Sequence, residues 1–101
     1  MMYISTRNKK NRVPASVALI KGLAEDGGLF FPEEIPQADI GKDELLSMDY
    51  VTLTAKILDK LLPDFGYDTI YDCVSKGYEG KFDSETPAVL KHVGEMNFLE
   101  L

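Results

Sequence analysis

The sequence predicts an α+β fold, a small β-sheet packed with three or four helices. Three observations predict it. Short runs rich in β-branched or aromatic residues lie toward both ends of the 101-residue chain, in "MYIST", in Leu29-Phe30-Phe31 and in the final "PAVLKHV" and "NFLEL". The middle carries apolar residues at helical spacing, clearest in "DYVTLTAKILDKLLPD". Glycine and proline mark the corners between these stretches.

The elements follow in order. "MYIST" has the alternation of a strand. Pro14 fits the first turn of a helix, where its missing N–H is no loss, and the helix is predicted to run to about Ala24. Val17, Ile20 and Ala24 would form its buried face, widened by Ala18 and Leu23, with Gly22 inside it for close approach of another backbone. Glu25-Asp26 then reads as a solvated helix end, and Gly27 or Gly28 as the left-handed residue that closes it. Leu29-Phe30-Phe31 follows as a strand, stopped by Pro32.

"EEIPQADIG" is a surface loop, with a short helical turn expected around Asp43 and Leu46. Asp49 is the expected N-cap of the clearest helix, in which apolar or small residues recur at Tyr50/Val51, Thr54/Ala55, Ile57/Leu58 and Leu61/Leu62 as a wide packing stripe before Pro63 stops it. Another helix begins near Asp68, buries Ile70, Val74 and Tyr78, and ends around Gly80. Two apolar strands joined by Gly94-Glu95-Met96 read as a hairpin of the same small sheet. The terminal "FLEL" carries no polar tail, which leads us to expect that the natural polypeptide continues.

Composition bounds the function. A hydrophobic content of 45% with 28% charged residues is that of an ordinary globular chain, and no apolar run approaches the ~20 residues of a membrane span. With one cysteine, Cys73, no internal disulfide forms, and a reducing cytoplasm is the expected location. The first 24 residues carry +5 and the remainder −11, for a net −6. So acidic a body predicts neither nucleic acid nor membrane as partner. The basic turn of Arg7, Lys9, Lys10 and Arg12, with Asn8 and Asn11, reads as an exposed loop ahead of an anion site.

Catalytic machinery is sparse, and we assign no catalytic, cofactor-binding or metal-binding residue. His92 is the only histidine, so a two-histidine metal site is impossible, and it reads as a plain sheet residue. Cys73 reads as a small packing residue on a helix. Ser5-Thr6, at the end of the first strand, could reach a ligand but read first as capping or edge hydrogen-bonding residues, while Glu25-Asp26, Glu33-Glu34 and Asp43-Glu44 read as solvated charges. "EDGGLF" lacks the spacing of a dinucleotide fingerprint.

Taken together, "YISTRN", "GLAEDGGLFFP", "MDYVTLTAKIL" and the closing "NFLEL" resemble the N-terminal region of threonine synthase, in order and spacing, across nearly the whole chain. One departure is Asn8, where many family members have glycine. The resemblance implies that residues 1–101 form the accessory N-terminal domain, and that the catalytic domain of the same polypeptide follows. That domain would hold pyridoxal phosphate on a lysine beyond Leu101 and convert O-phospho-L-homoserine and water to L-threonine and phosphate. The chain alone would bind no cofactor and be inactive. The competing reading is a free-standing interaction module, docking a partner through the basic turn or a Phe30/Phe98 patch.

Overall fold

The structure is a computed structural model that describes residues 1–82 and 85–101. Its elements are β1 (Met2–Ser5), β2 (Arg12–Pro14), α1 (Ala15–Lys21), β3 (Phe30–Pro32), α2 (Lys42–Ser47), α3 (Tyr50–Leu61), a 3₁₀ turn (Pro63–Phe65), α4 (Tyr67–Tyr78), β4 (Leu90–Val93) and β5 (Met96–Leu99). The α+β expectation holds, with one correction to the sheet. Among the described residues β1, β2 and β3 form a three-stranded antiparallel sheet in the order β2-β1-β3, while β4 and β5 form a separate two-stranded ribbon.

β1 is central because it has no proline and can pair on both edges, whereas β2 and β3 each end in a proline that lacks an N–H. It pairs Tyr3 with Val13 on one side and with Pro32 on the other. β2 was not foreseen, since three residues ending in proline give no alternation to detect. Proline is tolerated there because both β2 and β3 are edges.

The helix after Pro14 is shorter than expected. Gly22 is not an interior residue approached by another backbone, for nothing lies within 4 Å of where its Cβ would be. It takes φ +70° and ψ −63°, and the Leu23 N–H donates to the Lys21 carbonyl at 2.8 Å. That is a γ-turn about a glycine, a conformation strained for any residue with a side chain, and it ends α1 at Lys21. The buried face consists of Ala15 and Ala18, whereas Ile20 and Leu23 point to solvent, at 83% and 61% exposure. A seven-residue helix lying on a sheet can bury only its innermost small residues.

The second half of the domain matches expectation closely. Asp49 caps α3, its carboxylate accepting from the Thr52 N–H at 2.8 Å. Ala55 of α3 meets Ile70 and Val74 of α4, with Val51, Leu58, Leu62, Phe65 and Tyr78 around them. Pro63 stops α3 but opens the 3₁₀ turn. Three long-range bonds join this half to the first: the Tyr3 hydroxyl of β1 donates to the Leu61 carbonyl at 2.9 Å, and Asp64 of the 3₁₀ turn accepts from the Ser16 N–H and hydroxyl of α1 at 3.0 and 2.9 Å. Asp64 thereby supplies the acceptor that Pro14 cannot give the start of α1.

Candidate functional site

The end of β1 gathers more of the polar residues singled out in the sequence than any other place. The chain leaves α1, bridges Leu23 to Leu29, and closes a turn in which the Gly27 N–H donates to the Ala24 carbonyl and the Ala24 N–H to the Gly28 carbonyl. This is the bonding of a three-residue hairpin loop, with Gly27 at φ +77° in the left-handed position. The double glycine therefore closes a β-turn and not a helix, and its two members differ. Gly28 has no positive φ; it is small because a Cβ there would stand 2.2 Å from the Ser5 hydroxyl oxygen.

Ser5 is completely buried. Its hydroxyl donates to Asp26 Oδ1 at 2.7 Å, and Oγ accepts from the Arg7 N–H at 3.2 Å. The Gly28 N–H donates to the same carboxylate oxygen at 2.9 Å. The Arg7 guanidinium donates to the Asp26 carbonyl at 3.3 Å, and Thr6 Oγ1 accepts from the Leu29 N–H at 3.0 Å. The Ser5 hydroxyl first, then the Gly28 N–H, holds the Asp26 carboxyl below the usual carboxylate range against the opposing effect of desolvation, with weaker help from Asn11 and Arg7. Asp26 Oδ2 is buried and makes no hydrogen bond of ordinary geometry.

Chemically this is a lock. A serine that is fully buried and commits its proton to a carboxylate cannot reach a substrate, and a carboxylate held below its usual range is a poor base. The basic turn beside it is an exposed loop, as expected, and it connects β1 to β2: the Asn8 side chain accepts from the Lys10 N–H at 3.0 Å, and its carbonyl from the Asn11 N–H at 2.9 Å. Asn8 supports this turn with its own side chain. Arg12 is drawn off into an ion pair with Glu33 at 2.5 Å.

The other candidates lie elsewhere. His92 is exposed on β4 and contacts Asn97 across the ribbon. Cys73 is exposed on α4, a correction to its reading as a packing residue, because α4 turns Ile70 and Val74 inward. Phe30 and Phe98 belong to different sheets. No group of three or more His, Cys, Asp or Glu able to hold a metal forms among the described residues, and none of their helices is long and apolar enough to cross a membrane. Sequence reasoning missed the central role of Asp26, although Asp-Gly-Gly carries the signal of a side chain bonding its own backbone two residues on.

Comparison with known proteins places this architecture. The sequence matches the family described as threonine synthase N terminus over residues 2–78. The chain belongs to that family. It is 38% identical over 79 residues to threonine synthase of Methylobacillus glycogenes, covering 77% of this chain and 17% of the relative. It is 30% identical over 102 residues to threonine synthase of Schizosaccharomyces pombe, covering 98% of this chain and 20% of the relative. The crystal structure of threonine synthase from Escherichia coli superposes with a TM-score of 0.77 at 26% identity, over 99% of this chain and 23% of that one. The chain thus spans about a fifth of the length of the relatives it matches.

Pyridoxal phosphate, which the family implies, does not fit the residues present here. A lysine that condenses with an aldehyde needs a free amine in a shielded pocket. Lys21, Lys56, Lys60, Lys76 and Lys91 are ion-paired with Glu25, Glu44, Asp39, Asp72 and Glu100, and Lys9, Lys10, Lys42 and Lys81 stand exposed. Asp72 pushes the Lys76 amine up from its ordinary value, the wrong direction for a nucleophile.

Proposed function

We propose that this chain is the accessory N-terminal domain of a threonine synthase and supplies no catalytic or cofactor-binding group. It supports the catalytic domain of the same polypeptide. In that reading the whole enzyme is a cytoplasmic lyase that converts O-phospho-L-homoserine and water to L-threonine and phosphate. Pyridoxal phosphate supplies the electron sink for loss of phosphate and addition of water. The observation that carries the reading is the agreement of sequence and backbone with threonine synthases over nearly all of this chain. The family match runs against a free-standing interaction module.

Phosphate release from O-phosphohomoserine tests it, measured on the 101-residue chain and on the longer polypeptide that begins with it. The longer polypeptide is expected to release phosphate and to show the visible absorbance of bound pyridoxal phosphate, and the short chain to do neither. Turnover by the short chain, or none by the longer one, overturns the reading.

A further inference from the structure

The loop that joins β1 to β2 carries three cations that nothing among the described residues neutralises. Arg7, Lys9 and Lys10 are exposed and make no ion pair there, whereas Lys21, Lys56, Lys60, Lys76 and Lys91 each pair with a carboxylate. Two acids lie beside this loop, and both are engaged elsewhere. Glu33 pairs with Arg12. Asp26 meets Arg7 only through its neutral backbone carbonyl, at 3.3 Å, because its carboxylate is turned inward: Oδ1 accepts from Ser5 and Gly28, and Oδ2 is buried.

Arg7 is also held in place. Its N–H donates to the Oγ of buried Ser5 at 3.2 Å, and its guanidinium lies over Gly27, where a Cβ would stand 3.2 Å from Nη1. Nη1 is committed to the Asp26 carbonyl, while Nε and Nη2 keep their donors. Lys9 and Lys10 occupy the corner of a four-residue turn closed by the Asn11 N–H on the Asn8 carbonyl at 2.9 Å. Such a turn keeps its ends within about 7 Å, so all three cation heads can converge on one small ligand. Like charges this close repel, and an anion of more than one charge offsets them best. A phosphate dianion has that charge and the oxygens to match an arginine fork, where Arg7 alone would answer a carboxylate. A nucleic acid or an anionic membrane would also meet the 17 acids, all of which lie in the rest of the chain. A small anion stays within the ~8–10 Å over which the loop's own charge dominates.

We propose that Arg7, Lys9 and Lys10 form a binding site for a phosphate dianion, with Arg7 as its fixed member and the two lysines closing on the ligand. The choice of ligand rests on the function proposed above, in which the substrate carries a phosphate group and phosphate is released. In the whole enzyme the ligand is the phosphate group of the substrate. The site gathers that group by charge and makes or breaks no bond.

Amide NMR of the 101-residue chain, titrated with inorganic phosphate at about pH 8, where phosphate is mostly dianionic, tests the site at an ionic strength held constant with sodium chloride. The amides of residues 6–11 and of Gly28 are expected to shift together and to saturate with a Kd of about 1–10 mM. Arg7→Ala, and separately Lys9→Ala combined with Lys10→Ala, are each expected to weaken binding about tenfold. Lys42→Ala, at an exposed lysine of α2, is expected to leave it unchanged. Shifts that rise without saturating, or that sodium chloride alone reproduces, overturn the proposal, and so does binding that both loop variants retain. The longer polypeptide decides the source of the anion. There the double lysine variant is expected to raise KM for O-phosphohomoserine about tenfold with kcat within about twofold of the parent. An unchanged KM beside saturable phosphate binding assigns the site to free phosphate and overturns its role toward the substrate. An inactive longer polypeptide whose loop still binds phosphate sinks the enzymatic reading alone.

Discussion

A side chain at Gly28 would meet Ser5 Oγ at 2.2 Å and Asp26 Oδ1 and Thr6 Oγ1 at 3.0 Å, and each of these atoms is already committed to a hydrogen bond. Ser5 cannot retreat, because it is buried at the end of the central strand. Gly28→Val is therefore expected to cost about 2 kcal/mol or more, as overpacking does, with the added loss of the Ser5–Asp26 bond. A thermal melt equal to wild type would refute this. Asp26 gives a pH prediction. Its carboxyl is held below the usual range in the folded state. The stability it contributes is thus complete above the ordinary aspartate pKa and is lost as pH falls through the lower folded value. Asp26→Asn is expected to flatten the acid side of a stability-against-pH curve without abolishing it, since Asp49 and Asp64 are lowered by their own donors and remain. These residue roles were hard to read in advance. "EDGG" is compatible with a helix end and with a hairpin loop, and only the identity of the opposing strand, carrying Ser5, decides between them.

At the scale of elements, legibility followed length. α3 and α4 each span 12 residues, long enough for periodicity, caps and stops to agree, and both stand close to where the sequence puts them. β2 and β3 have three residues each, and α1 has seven; their limits are set by partners far along the chain. Asp64, 48 residues from Ser16, fixes where α1 begins, and no local pattern announces that. The contact between α3 and α4 yields the prediction proper to this scale. Ala55 is fully buried and faces Ile70 and Val74, which are themselves 6% exposed. The two helices approach closely because that position is small. Ala55→Leu forces them apart and is expected to cost about 1–3 kcal/mol. Urea denaturation measures it, and a variant as stable as the parent would show that the helix pair has slack the geometry does not suggest.

For the molecule as a whole, the sequence carried the fold class and the family resemblance, but not the separation of the C-terminal hairpin from the sheet. Both readings place two strands at the end of the chain; only whether they pair with β1, β2 or β3 distinguishes them, and among the described residues they do not. The same fact governs stability. Of the seven hydrophobic residues buried among the described residues, Ala15, Ala18, Ala24 and Ala55 are alanines, leaving Ile4, Ile70 and Val74 as the larger members. Alanine contributes little apolar area, so the hydrophobic term is small against the entropy of ordering the chain. The isolated chain should sit at the low end of domain stabilities, near ~5 kcal/mol or less. All five tyrosines, Tyr3, Tyr50, Tyr67, Tyr71 and Tyr78, lie before the hairpin, so tyrosine fluorescence follows the first sheet and the helices during urea unfolding. Phe98→Asp is then expected to leave the tyrosine-detected midpoint where it was, because Phe98 is 49% exposed on a ribbon against which no helix packs extensively among the described residues. A midpoint lowered by that substitution would mean that the ribbon folds against α3 and α4 in solution, and a stability well above 10 kcal/mol would mean that the small alanine core is not the whole of what holds the domain together.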